Sequence, residues 1–146
     1  MDSKYDSLCL KNQLCFPLYV CAKEVIRRYK PLLDELDLTY TQYVVMMYMW
    51  EKESSNVKDM GKALLLDSGT LTPLLKKLES KGFITRVRSK VDVRNLDIEI
   101  TKEGMALRDK ALTVPEEMSK CVALTREEAE TLCRLMRKVL AHIEAE

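Results

Sequence analysis

The sequence predicts a mainly α-helical protein with a small β-hairpin, and three features of residues 67–101 carry that prediction. Residues 83–88 and 96–100 alternate between two faces, a period typical of β-strands. Gly82, which precedes the first run, is expected to take the left-handed conformation that ends a helix. Before it, apolar residues recur at i, i+3, i+4 and i+7 and predict a helix with one buried face: Leu71, Leu74, Leu75 and Leu78.

The chain before that helix predicts two more helices. Thr39 and Gln42 form a capping box for residues 40–52, which are apolar almost all round and are therefore expected to be buried. A polar turn, SSN at 54–56, separates them from a short helix at 57–64. Because Pro73 is tolerated in the first turn of a helix, we place the next start at residues 68 to 70. Two helices joined by a tight connection and followed by a hairpin predict a winged helix-turn-helix at about residues 40–101.

Helices are also predicted at both ends of the chain, about residues 1–30 and 103–146. The first, at residues 8–29, has an apolar face broader than a small core needs, and Pro17 should kink it or mark a local start. Thr101 can cap a helix to about residue 120, interrupted near Pro115, and Thr125 with Glu128 predicts a last helix. We expect a single domain, residues 1–146, with these terminal helices as its dimerisation region. The last helix is expected to bury Leu132, Leu135, Met136, Val139, Leu140 and Ile143.

Basic residues are concentrated in the helix at 68–81 and in the hairpin. Residues 76–94 contain seven Lys or Arg and two Asp or Glu, a local charge of +5, whereas the whole chain is only +1. Such a patch on a nearly neutral protein is typical of a surface that binds a polyanion. Hydrogen-bonding side chains lie mostly off the apolar stripe of the helix: Ser68, Thr70, Thr72, Lys76, Lys77 and Ser80.

Composition disfavours several other classes of protein. No apolar run is long enough to span a membrane and the charged start MDSKYDSL is unlike a signal peptide, so we expect a cytoplasmic protein. With one histidine and no C-x-x-C, metal binding is not expected, and no cofactor is predicted. The absence of a Gly-rich phosphate loop and the position of His142 near the C-terminus disfavour a kinase or a serine hydrolase. The five cysteines are odd in number and predict free thiols: Cys9, Cys15, Cys21, Cys121 and Cys133.

Several segments resemble the MarR family of dimeric winged-helix regulators, and more closely its organic-hydroperoxide-sensing branch, usually called OhrR. The resemblance covers nearly the whole chain and is most specific in the cysteine motif and in DSGTLTP; the wing pair alone is typical of the broad family. Its residues are NQLCFPLY at 12–19, YKPLLDELDLTYTQY at 29–43, LDSGTLTPLLKKLESKGFITR at 66–86, and the pair Asp92 and Arg94.

The resemblance implies that a homodimer binds double-stranded operator DNA. The helix at 68–81 would enter the major groove, with Ser68, Thr70 and Thr72 near bases or phosphates. Arg94 at the wing tip would reach into the minor groove, oriented by Asp92; an arginine suits that narrow, negative groove. Phosphate contacts are expected from Lys76, Lys77, Arg86, Arg88 and Lys90.

The resemblance also implies a redox signal. A lone cysteine on an apolar stripe is most often a packing residue, but the surrounding motif assigns Cys15 as a thiolate that attacks an organic hydroperoxide and becomes a sulfenic acid. Tyr29 and Tyr40 of the partner subunit would donate hydrogen bonds to that thiolate. Tyr19, one turn beyond Cys15, is expected to line the same pocket.

The route by which the sulfenic acid is resolved stays open at the level of sequence. The family has one-cysteine members, which use a low-molecular-weight thiol, and two-cysteine members, which use a second protein thiol. Cys121, in the loop-like stretch SKCVALT, stands about where two-cysteine members keep that thiol. Cys133 is the second candidate, although its place beside the apolar stripe indicates a core residue; Cys9 and Cys21 are expected to pack. Pro17 departs from the motif close to Cys15.

Three hypotheses follow, with a peroxide-responsive repressor first. A regulator whose pocket near the first helix binds a phenolic or fatty-acid effector is the second, and its cysteines would serve packing alone. A thiol peroxidase with Cys15 as turnover catalyst is the third, disfavoured because such an enzyme has no need of a basic wing. A sensor's own thiol reacts stoichiometrically, so the leading hypothesis is not an enzyme.

Overall fold

The computed structural model describes residues 3–145, and it is mainly α-helical with a small antiparallel sheet, as predicted. Two short 3-10 turns, Asp6–Leu8 and Leu10–Asn12, precede the first helix. The helices are α1 (Cys15–Asp34), α2 (Tyr40–Lys52), α3 (Val57–Leu64), α4 (Ser68–Ser80), α5 (Lys102–Ala111), α6 (Thr113–Val122) and α7 (Arg126–Glu144). The strands are β1 (Ser54–Asn56), β2 (Ile84–Arg88) and β3 (Leu96–Ile100).

The core lies where α2, α3, α4 and the sheet meet. The predicted apolar stripe of α4 is confirmed, because its four leucines are between 0% and 7% exposed. α2 contributes Val45, Met46 and Met49, and α3 contributes Met60, all fully buried. Burial of this size fixes α4 by one face and leaves its opposite face to solvent.

Capping side chains set the helix boundaries that the sequence predicts. The box of Thr39 and Gln42 begins α2, and Thr125 with Glu128 begins α7 in the same way. Thr101 caps α5 by accepting the N–H of Gly104 at 3.0 Å. Each such cap typically contributes about 1 kcal/mol, because it satisfies an N–H that the helix itself leaves unpaired.

Helix α4 begins at Ser68 as predicted, but the position expected for Pro73 in its first turn is wrong. Pro73 is the sixth residue of α4 and lies in its second turn, because Asp67 caps the helix by accepting the N–H of Thr70 at 2.7 Å. The end is as predicted: Gly82 has φ 80°, and its N–H donates to the carbonyl of Glu79 at 2.9 Å. The next N–H, of Phe83, donates to Leu78 at 3.1 Å and completes a Schellman motif.

Helix α1 starts at Cys15, not at residue 8 as predicted, and ends at Asp34. Pro17 is its third residue, so of the two expected effects, a kink or a local start, the structure shows the local start. A proline lacks only an N–H that the first turn leaves unpaired in any case.

The wing has three strands, because β1 pairs with the outer edge of β3 in the order β1-β3-β2. β3 lies antiparallel to both neighbours, with Ser55 opposite Ile98 and Ile84 opposite Ile100. The expected polar turn at 54–56 is therefore a strand. Its composition, SSN, hid it because the contribution of β1 is backbone hydrogen bonding to β3 rather than an apolar face.

The C-terminal helices differ from expectation in their burial. α5 and α6 are separate helices that break at Leu112, close to the predicted interruption near Pro115. α7 buries none of its described side chains, and the six apolar residues expected in the core are between 38% and 60% exposed. Burial of that face therefore needs something outside the single chain. Within residues 3–145, no helix has the length and hydropathy of a membrane span.

Candidate DNA-binding face and thiol site

The solvent side of α4 carries the side chains expected to face DNA. Ser68, Thr70, Lys76 and Lys77 are exposed and Thr72 is half-buried. The carboxylate of Asp67 stands at the start of this helix, and the N–H of Thr70 holds the pKa of that carboxyl below its ordinary value. The face therefore combines hydroxyl donors at its beginning with two ammonium groups one to two turns later.

The wing tip is folded by its own polar groups. The buried Ser89 hydroxyl accepts the N–H groups of Val91 at 3.2 Å and Asp92 at 3.3 Å. The carboxylate of Asp92 accepts the N–H of Arg94 at 3.0 Å and lies 3.9 Å from its Nε. The Arg94 side chain is nevertheless 93% exposed, so Asp92 shapes the turn that presents this arginine and leaves the guanidinium accessible.

Arg86 has a different environment from the other basic residues of the hairpin. Its Nε and Nη2 donate to Glu79 at 3.2 and 3.1 Å, and its backbone N–H donates to the same carboxylate at 3.0 Å. Its side chain is 18% exposed, whereas Arg88 and Lys90 are exposed. The guanidinium holds the pKa of Glu79 below its ordinary value. Arg86 therefore braces the wing against α4, which is a structural contact that the sequence did not indicate.

A groove of about 490 Å³ runs between α3, the start of α4 and the wing. It adds Lys58 and Lys62 to the basic face, two residues that the sequence analysis missed. Their spacing of four residues in a short helix was the available signal, since it places both on one helix face. The polar lining is completed by Ser68, Thr72, Arg94 and Asn95.

Cys15 is the first residue of α1 and its side chain is exposed. Tyr29 stands fourteen residues later in the same helix, so about 21 Å separates their backbones at 1.5 Å per residue. One chain therefore holds Cys15 and Tyr29 apart, and a site that contains both needs two chains.

The two tyrosines of the predicted pocket do lie together. The ring centroids of Tyr29 and Tyr40 are 4.9 Å apart, and Tyr43 packs on Tyr29 at 5.9 Å. Burial, followed by the neighbouring Tyr40, raises the pKa of Tyr29, so its phenol stays a hydrogen-bond donor at neutral pH. Tyr19 is 64% exposed beside Lys23 and lies four residues from Cys15, away from this pair.

The other cysteines are free thiols, and their positions differ from expectation. Cys121 lies in α6, not in a loop, and is exposed. Cys133 is exposed on α7 rather than in a core, and Cys21 is exposed rather than packed, while Cys9 is half-buried. Cys21 and Cys133 were expected to pack in a core, but they are exposed because nothing in the described part of the single chain covers these stretches of α1 and α7. In residues 3–145 no three potential ligands among His, Cys, Asp and Glu cluster as a metal site would require.

Known proteins resemble this chain along most of its length. Residues 27–111, more than half of it, match the family model described as transcriptional regulator SarA/Rot. The organic hydroperoxide resistance transcriptional regulator of Bacillus subtilis (strain 168) is 45% identical over 135 residues, 92% of this chain and 90% of that protein.

Solved structures of DNA-binding proteins also match this chain. Reduced AbfR bound to DNA matches with a TM-score of 0.79 at 33% identity, covering 97% of this chain and 99% of that one. The disulfide form of AbfR, a protein of Staphylococcus epidermidis, matches with a TM-score of 0.64 at 33% identity, covering 98% and 97%. These relatives are DNA-binding regulators of transcription and not enzymes. The chain belongs to the MarR/SarA family of winged-helix transcriptional regulators.

Proposed function

We propose that this regulator is a homodimeric repressor that senses organic hydroperoxide through oxidation of Cys15 and then releases its operator. One observation carries the proposal: Tyr29, whose pKa is raised by burial, packs against Tyr40 in the same chain as an exposed Cys15 that lies about 21 Å along α1 from Tyr29. The Bacillus relative named for organic hydroperoxide resistance supports the choice of oxidant.

The open apolar face of α7 supports the homodimer. Six large apolar side chains of this helix are exposed, and a contiguous apolar face on a soluble chain typically marks an interface. At the other terminus Leu14, Phe16 and Leu18 around Cys15 are exposed too. A second copy that covers both surfaces would bring its Tyr29 and Tyr40 to Cys15 and close the site.

The chemistry proposed for Cys15 is a two-electron oxidation. The thiolate sulfur forms a bond to one peroxide oxygen, the O–O bond breaks, and the other oxygen leaves as an alkoxide that is protonated to an alcohol. The product is a sulfenic acid. Phenol donors at the site favour the thiolate that attacks, because they stabilise its charge. The position of Cys15 in the first turn of α1 also directs backbone N–H groups towards a negative charge.

The sulfenic acid is then resolved by a second thiol, with loss of water, to a disulfide. We propose Cys121 of the partner subunit as the first candidate, because by resemblance it stands about where two-cysteine members keep their resolving thiol, and its side chain on α6 is exposed. A low-molecular-weight thiol is the alternative, and Cys133 is the third. The solved disulfide form of AbfR, a relative at 33% identity, favours a protein thiol.

DNA release follows from the geometry of the binding face. In the proposed complex α4 lies in the major groove with Ser68, Thr70 and Thr72 at its start, while Arg94 enters the minor groove. Lys76, Lys77, Arg88 and Lys90 contact phosphates, and Arg86 acts through Glu79 by holding the wing. A palindromic operator requires two recognition helices at a fixed spacing, so a shift between subunits on oxidation weakens binding.

A second candidate function is the ligand-responsive regulator. A cavity of about 250 Å³ beside Tyr40 has apolar walls from Ile26, Leu33 and Leu38, and its rim holds Arg27, Lys30 and Asp34. Because the ammonium of Lys30 pairs with Asp34 at 2.9 Å, Arg27 is the side chain that would receive a phenolic or fatty-acid anion. Release of DNA by a non-oxidising anion, unaffected by reductant, would favour this candidate over the peroxide sensor. The thiol peroxidase becomes the weakest reading, because the relatives are regulators.

The decisive experiment replaces Cys15 with serine. The probe is a duplex selected by the reduced protein from a random-sequence library, and binding is followed by fluorescence anisotropy before and after one equivalent of cumene hydroperoxide. Wild type should lose affinity on oxidation and Cys15→Ser should not. Cys21→Ser, an exposed cysteine of the same helix, is the matched control and should respond as wild type does. Peroxide-driven release from Cys15→Ser would overturn the proposal.

Mass spectrometry of the same samples separates the resolving routes. A peptide that joins Cys15 to Cys121 between subunits would identify the two-cysteine route. A mixed disulfide with added small thiol would identify the one-cysteine route. Either result depends on prior oxidation at Cys15, so unmodified Cys15 in released protein would contradict both.

A further inference from the structure

A polar contact joins the C-terminal end of α4 to the turn between α1 and α2. Lys81, directly after α4, donates from Nζ to the backbone oxygen of Asp37 and, at 3.2 Å, to Oε1 of Gln42. Its Nζ also lies 3.4 Å from the carboxylate Oδ1 of Asp37. The lysine side chain is 26% exposed and Gln42 is only 4% exposed, so water competes little for the bond between them.

The same oxygen of Gln42 holds the cap of α2. It accepts the N–H of Thr39 at 3.0 Å, and the N–H of Gln42 donates to the Thr39 hydroxyl at 3.3 Å. An amide oxygen offers two lone pairs, and here one serves the cap while the other serves Lys81. Tyr40 stands between Thr39 and Gln42 and packs on Tyr29. The first turn of α2, which carries Tyr40, and the end of α4 thus share one buried acceptor, Oε1 of Gln42.

The backbone around Lys81 is held by further hydrogen bonds. The N–H of Lys81 donates to the carbonyl of Lys77 at 3.1 Å, and Gly82 follows in the left-handed conformation. The carbonyl of Gly82 accepts the hydroxyl of Thr101 at 2.6 Å, at the point where the wing returns to α5. A displacement of Lys81 would therefore move the end of α4 and the base of the wing together.

We propose that Lys81 is a positioning residue that couples the tyrosine pair to the orientation of the recognition helix. A change at the thiol pocket that displaces Tyr40 shifts the first turn of α2, and Gln42 passes that shift to Lys81. The inference rests on the proposed function and adds the residue through which the thiol signal reaches α4. Coupling of this kind needs an element whose arrangement both sites bias, and Gln42 would have that role because its oxygen bonds both the cap of α2 and Lys81.

The test measures the ratio of operator dissociation constants, oxidised over reduced, in the full-length protein with the selected duplex and cumene hydroperoxide. Lys81→Met removes every donor of the contact. Asp37→Asn weakens it at a side chain that is 81% exposed, and asparagine tolerates the φ of 54° at this position. Lys102→Met removes an equal charge from an exposed position of α5 and is the matched control.

Lys81→Met should lower the ratio by roughly two- to thirtyfold, Asp37→Asn should lower it less, and Lys102→Met should leave it unchanged. A purely structural lysine would lower the melting temperature or both affinities alike without changing the ratio, and that result would overturn the proposal. Slower oxidation of Cys15 in Lys81→Met, followed by mass spectrometry, would also overturn it, because the effect would then lie in sensing.

The two proposals fail in different ways. A wild-type protein whose affinity does not change on oxidation would overturn the proposed function and this inference with it. A wild type that responds, together with an unchanged ratio in Lys81→Met, would overturn this inference alone. Should Lys81→Met prove unfolded by circular dichroism, the ratio in Asp37→Asn decides in its place.

Discussion

The winged helix and the terminal helices of this chain differ in how much of their apolar surface a single copy buries. In the winged helix, the apolar stripe of α4 is buried, both of its ends are capped and the wing is braced by Arg86. α7 has an equally clear apolar stripe, yet none of its described side chains is buried. The contrast teaches that one chain builds the DNA-binding face, whereas the proposed signal site would need two chains.

The largest effect is expected from a change in the exposed apolar face of α7. Leu135→Asp places a charge on the face that we assign to the dimer interface, and burial of an unpaired charge should weaken dimerisation by roughly 2–4 kcal/mol. Sedimentation velocity over a dilution series measures the loss. Arg134→Asp, one residue away and also exposed, makes the chain more negative by two charges instead of one and is therefore a stringent control for charge alone. Equal dimerisation in Leu135→Asp and wild type would show that α7 is not the interface.

A smaller effect is expected from a change in the wing, which should weaken DNA binding and leave dimerisation unchanged. Arg94→Ala should weaken binding of the selected duplex by about 1–3 kcal/mol, roughly 5- to 150-fold, if this side chain enters the minor groove. Arg126 on α7 is also 93% exposed and offers a matched control. Arg126→Ala should retain wild-type affinity in the same anisotropy assay. Similar losses in both variants would mean that net charge, rather than the wing tip, governs binding.

The smallest effect concerns the brace between α4 and the wing. The side-chain hydrogen bonds from Arg86 hold the pKa of Glu79 below its ordinary value of 4.5. A depressed folded-state pKa stabilises the native protein above the unfolded value, and that stabilisation is lost as pH falls through the folded value. Carboxyl NMR titration should place Glu79 below 4.5, and Arg86→Met should return it towards 4.5. A Glu79 pKa of 4.5 in the wild type would show that Arg86 does not hold the wing against α4.

Local signals in the sequence predicted most of the fold. Period, caps and Gly82 located α2, α3, α4, β2 and β3, because each depends on residues within a few positions of one another. β1 was missed because the hydrogen bonds that define it come from β3, more than forty residues away. The start of α1 was placed too early because apolar spacing continues into residues that form 3-10 turns.

The candidate site was predictable in its residue types and less so in its arrangement. Motif resemblance named Cys15, Tyr29 and Tyr40, and the structure brings the two tyrosines together. Nothing in local spacing indicated that Arg86 pairs with Glu79 or that Lys81 reaches Gln42. The second of these contacts joins segments about forty residues apart, and the first depends on how the hairpin folds back on α4.

By itself, the sequence determined most of the helices, the hairpin of β2 and β3, where the charge lies and which thiol carries the family motif, because capping and amphipathic period act over one or two turns. Tertiary structure alone decided which polar side chains make contacts within the protein and which face solvent. It also showed that the apolar faces of α7 and of the start of α1 stay open in one chain. The physical reason is that burial depends on what packs against a face, and no described part of this chain packs against these two faces.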